Sequence, residues 1–94
     1  MNFKKLIEES SIEHYLSNKF QAYNVDVYTS NKFIVVEIPH MYNLKKSAEK
    51  LILSIQKDNN EIKIVNIKTN YIDLELTIKS KKYNIRIIRS DLDF

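Results

Sequence analysis

A chain of 94 residues makes one domain, and this one contains neither cysteine nor glycine. Without cysteine there are no disulfides, thiolate metal sites or cysteine nucleophile, and the cytoplasm is the expected compartment; without glycine the phosphate-cradling loops, dinucleotide fingerprint and nucleophile elbow are excluded together. The net charge of +3 is uneven, −1 over residues 1–43 and +4 over residues 44–94, an excess that permits an anionic partner without demanding one.

Fourteen isoleucines, 13 lysines and 10 asparagines dominate the composition. That bias reads as AT-rich codon usage filling ordinary core and surface positions. The first residues turn acidic at Glu8-Glu9 after Leu6-Ile7, so no signal peptide is expected. No apolar run approaches membrane-spanning length, and no membrane association is expected.

Residues 3–20 carry helical periodicity in two phases. Phe3, Leu6 and Ile7 share one face; Ile12, Tyr15, Leu16 and Phe20 share another. Ser10-Ser11-Ile12-Glu13 has the pattern of a capping box, which predicts two helical pieces, roughly 2–9 and 11–20, with a kink or short turn between them. The period then changes to two. Tyr23, Val25 and Val27 predict a strand over about 22–29, followed by a turn at Thr29-Ser30-Asn31-Lys32 in which Asn31 takes the left-handed conformation. Residues 33–38 form the partner strand, apolar enough to be central, and Pro39 ends it.

Asn43 is placed to cap a helix in which Leu44, Ala48, Leu51, Ile52 and Ile55 fall on one stripe. Asp58-Asn59-Asn60 stops it, with asparagine standing in for glycine. Residues 61–69 change phase midway, which a bulge or burial on both faces would explain. Residues 71–79 alternate cleanly, with Ile72, Leu74, Leu76 and Ile78 inward and Tyr71, Asp73 and Glu75 outward. A last strand over 83–89 follows a turn at Ser80-Lys81, and a loose tail ends in Phe94. The expected fold is a single α+β domain, residues 1–94, in the order α-β-β-α-β-β-β. Its five-stranded sheet should be mostly antiparallel with both helices on one face.

Candidates for chemistry are few. His14 lies on the first helix and His40 in a loop, and neither has metal-ligand spacing. Glu61-Ile62-Lys63 resembles the E-x-K element of metal-dependent nucleases, with Asp26 as the carboxylate to be recruited; in that family the two strands are consecutive, whereas here a helix intervenes. Ser10, Ser11, Ser47 and Ser54 have no activating neighbour in the local sequence. No catalytic residue, metal or cofactor is therefore assigned.

Two surfaces remain. Tyr28, Phe33, Tyr71, Asp73 and Glu75 on the outer sheet face suit a protein partner, a basic one or a second copy of the chain, because tyrosine offers a large contact area with a polar tip. Lys45, Lys46, Lys50 and Lys57 on the second helix, with Lys81, Lys82, Arg86 and Arg89 on the last hairpin, form the alternative, a phosphate grip for nucleic acid. The expected function is a non-enzymatic protein-binding module. Its size and composition fit a virus-, phage- or plasmid-encoded accessory protein, such as an inhibitor of a host defence enzyme.

Overall fold

A computed structural model describes the backbone of residues 3–20 and 25–90, and side chains from Ser11 onward within those segments. The elements are α1 (Phe3–Lys19), β1 (Asp26–Ser30), β2 (Phe33–Ile38), α2 (Leu44–Lys57), β3 (Glu61–Ile67), β4 (Tyr71–Ile78) and β5 (Lys81–Arg89). The element order is the expected one. Tyr23, the tail with Phe94, and the side chains of Phe3, Leu6 and Ile7 lie outside the described residues.

Two expectations need correction and a third is sharpened. First, α1 is one helix through Ser10-Ser11, not two pieces. The Glu13 carboxylate accepts a hydrogen bond from the Thr29 hydroxyl of β1. Second, the sheet is mostly antiparallel, as expected, but contains one parallel pairing. Its order is β1-β2-β5-β4-β3, and β2 and β5 pair in parallel while the other three pairings are antiparallel. The chain leaves β2 through α2, builds the β3–β4 hairpin outward, and returns β5 to the vacant side of β2. Third, the last turn is Lys79-Ser80, both at positive φ (51° and 68°), one residue earlier than expected, so β5 begins at Lys81.

Elsewhere asparagine replaces glycine as expected. Asn31 (φ 55°) turns β1 into β2, and Asn59 (φ 63°) follows the end of α2. Asn43 caps α2 by accepting from the Lys46 amide at 2.9 Å. The phase change in β3 is a register shift between Ile64 and Asn66 that leaves Val65 as the extra residue.

Both helices cover one face of the sheet. α1 packs over β1 and β2, and α2 over β3, β4 and β5. Ile12 and Leu16 from α1, Phe20 just after it, and Leu44, Ala48, Leu51 and Ile55 from α2 meet Ile34, Val36, Ile38, Ile72, Leu74, Leu76, Ile85 and Ile87 from the strands. The fit is close: Leu16, Val36, Ile55, Leu76, Ile85 and Ile87 are all fully buried. The side chains alternating with these strand residues form the other face, over which neither helix lies.

Candidate functional site

Register pairing lays this uncovered face out in rows. Asp26, Glu37, Ile88 and Tyr71 form one; Tyr28, Val35, Arg86, Asp73 and Asn66 the next; Ser30, Phe33, Asn84, Glu75 and Lys63 the third. Lys82, Thr77 and Glu61 continue beyond.

Arg86 is at the centre. Its guanidinium carbon lies 4.1 Å from the ring centroids of both Phe33 and Tyr71, so the cation is held between an aromatic from β2 and one from β4. Its Nε donates to Asp73 Oδ1 at 2.7 Å and a terminal nitrogen donates to Oδ2 at 3.0 Å. This bidentate geometry is the strongest that an arginine and a carboxylate can make, and it holds the guanidinium proton more tightly than usual. Asp73 is only 7% exposed, a burial an ionised carboxylate tolerates when its oxygens are satisfied. Val35, beside Arg86 in the same row, is 6% exposed although no helix lies above it. The face thus covers part of itself with its own side chains.

The surrounding charges are also paired. Glu75 lies 3.5 Å from the Lys63 ammonium and 3.7 Å from that of Lys82. The Tyr28 hydroxyl donates to Glu37 at 3.1 Å. Partial desolvation, that hydrogen bond and the nearby charges of Glu37 and Asp26 raise the Tyr28 phenol above its ordinary range. A shallow hollow of about 410 Å³ opens between Tyr28, Tyr71, Arg86 and Ile88.

All five residues expected to bind protein share this face. Phe33, Tyr71 and Asp73 belong to one cluster, Glu75 sits a row away, and Tyr28 stands toward the β1 edge. Their charge differs from expectation: Asp73 and Glu75 are neutralised internally, so the case for a basic partner weakens. The basic set is divided. Lys45, Lys46, Lys50 and Lys57 are exposed on α2, on the opposite side of the sheet. Lys82 and Arg86 are committed to carboxylates of the open face; Lys81 shares the helix-side alternation of β5, and Arg89, of the same alternation, also borders the open-face hollow. The central role of Arg86 was the residue-level feature missed. Its signal is the outward phase it shares with Asp73 on two strands joined by a tight turn.

The nuclease-like set is not assembled. Glu61 and Lys63 line a recess of about 190 Å³ with Glu75 and Lys82, whereas Asp26 is on β1 at the opposite edge of the sheet. Among the described residues no group of three or more His, Asp or Glu side chains is placed to hold a metal ion, and no helix is long and apolar enough to cross a membrane. No protein-family model, curated protein or solved structure matches this chain.

Proposed function

We propose that this is a binding protein that works through protein contacts on its open sheet face and performs no chemistry of its own. The observation that carries the reading is the Phe33–Arg86–Tyr71 stack locked by Asp73. Arginine and tyrosine dominate the energetic centres of protein interfaces. An arginine already fixed by two rings and two hydrogen bonds loses little conformational freedom when a partner covers it. A photo-crosslinking residue at Tyr28 should therefore capture a protein in cells of the native source, and Arg86→Glu should abolish the capture. The same residue at Lys46 should give no such adduct. Adducts from Lys46 but not from Tyr28 would contradict the reading.

A second reading is favoured by one observation, the exposure of Lys45, Lys46, Lys50 and Lys57 on the outer side of α2. Such a stripe neutralises phosphates without reading sequence, although Glu49 dilutes it. Binding of DNA or RNA at low salt, lost in a Lys46, Lys50 and Lys57 triple glutamate variant, would support it. No binding by the unsubstituted protein would remove it.

A further inference from the structure

We infer that β3, an edge strand of the sheet, pairs antiparallel with β3 of a second copy of this chain, centred between Ile64 and Val65, so that one sheet runs through both copies. The inference does not rest on the open-face reading above: Tyr28, Phe33, Tyr71 and Arg86 take no part in the seam.

β3 has a neighbour, β4, on one side only. An edge strand presents a row of main-chain donors and acceptors on its outer side, and a strand laid alongside satisfies them. Ile64, Val65 and Ile67 are all exposed here, the densest run of exposed large hydrophobics among the described residues. The extra residue in the strand then selects the partner. Glu61, Lys63 and Asn66 belong to the open face and Ile62, Ile64 and Ile67 to the helix side, so the alternation reverses phase at Val65. A regular strand in phase with Glu61–Ile64 is therefore out of phase with Asn66 and Ile67, which is how a bulge protects an edge. A second β3, run antiparallel, carries the same reversal at the matching place.

The phase reversal and the charges fix the register. Glu61 lies opposite the other copy's Lys68, Ile62 opposite its Ile67, Lys63 opposite its Asn66 and Ile64 opposite its Val65, and a two-fold axis repeats every contact. Lys68 belongs with the open face, because its amide donates to the carbonyl of Tyr71 at 2.9 Å. Open-face residues therefore meet open-face residues, and helix-side residues meet helix-side residues, on both sides of Val65. Glu61 and Lys68 are exposed, while Lys63 is already paired with Glu75, so opposite charges join at both ends of the seam. Slipping the strands by one residue crosses the two faces. Slipping by two sets Lys63 against Lys68 in one direction and against the helix-side Ile64 in the other. The axis stands normal to the sheet, which leaves both open faces on the same side and presents two Arg86 clusters to a bivalent partner. A seam of one strand pair buries less than the ~800 Å² per partner of a standard interface. The dimer should therefore exchange, with a dissociation constant in roughly the upper micromolar range.

Sedimentation velocity, carried to concentrations well above that constant, tests this, with circular dichroism to confirm folding. The unsubstituted chain should dimerise. Glu61→Lys and Lys68→Glu should each weaken the dimer roughly tenfold, because each sets like charges opposite one another at both ends of the seam. Glu61→Lys combined with Lys68→Glu in one chain should recover the affinity, since both contacts are again of opposite sign. Hydrogen exchange supplies a second readout: amides of β3 should exchange more slowly as concentration rises, while those of β1, the other edge, should not change. A protein that stays monomeric, single variants that dimerise as well as the parent, or a double variant that fails to recover overturns the inference. So does protection that rises in β1 and not in β3. Capture of a different protein from Tyr28 neither requires nor prevents the seam, so the two readings fail separately.

Discussion

The two faces of the sheet use the same alternating strands but bury their residues by different means. On the helix side, isoleucine and leucine are covered by α1 and α2, and Ser47 of α2 is the one polar side chain among the buried residues described there. On the open side the cover is made of side chains. Arg86 lies between two rings and over a buried carboxylate, with Val35 buried beside it. The first face needs only apolar volume and tolerates exchange among residues of similar size. The second needs particular partners in a particular register, since removing one strands another.

The contrast can be broken first at Val36, which is fully buried on the helix side. Val36→Asp should abolish cooperative folding, because an unpaired carboxylate there costs more than a small domain's total stability of about 5–15 kcal/mol. Loss of the thermal unfolding transition would show it.

The open face should respond less and in a coupled manner. Arg86→Met should cost about 1–3 kcal/mol by leaving Asp73 buried without its cation, less than for a fully buried pair because the Arg86 side chain is 32% exposed. Adding Asp73→Leu should recover most of that loss, and urea denaturation of the double-mutant cycle measures the coupling. Additive losses would mean that the pair is incidental to the face.

A third substitution sharpens the comparison from outside both faces. Lys79-Ser80 turns β4 into β5 with both residues at positive φ, a conformation that favours asparagine and glycine. Lys79→Asn with Ser80→Gly should stabilise the hairpin by about 1–2 kcal/mol while leaving the Asp73–Arg86 register unchanged. Chemical denaturation would read the gain.

The smallest effects should come from the polar tie between α1 and the end of α2. The Asp58 carboxylate pairs with the Lys19 ammonium and accepts from the Tyr15 hydroxyl. Hydrogen bonds from Lys19 first and Tyr15 second hold Asp58 below the ordinary carboxylate range. Burial first, and the bond to Asp58 second, raise Tyr15 above the ordinary phenol range. A depressed carboxylate stabilises fully above about pH 4, and its contribution is lost as pH falls through the folded value. A raised phenol stabilises fully below about pH 10, and its contribution is lost as pH rises through the folded value. Asp58→Asn should flatten the acid limb of a melting-temperature profile, and Tyr15→Phe the alkaline limb.

Local elements were legible in the sequence where one period prevailed. The stripe Leu44–Ile55, the alternation of β4 and the phase change in β3 each express a single burial constraint. The helix–helix boundary expected at Ser10-Ser11 was not, because Glu13, whose capping role depended on local sequence, is engaged by Thr29 from another element. The last turn was displaced by one residue because the chain has no glycine to mark it. A turn at Lys79-Ser80 sets Asp73 opposite Arg86, whereas one at Ser80-Lys81 does not. Finally, Phe33 meets Arg86 only because β2 and β5 pair in parallel. That pairing brings together segments separated by α2 and a hairpin, and local periodicity does not encode it.

The most direct test of the central claim is photo-crosslinking from Tyr28 on the open face set against photo-crosslinking from Lys46 on α2. The account predicts a protein adduct from Tyr28 that is lost in Arg86→Glu, and none from Lys46. Adducts from Lys46 but not from Tyr28 would contradict it.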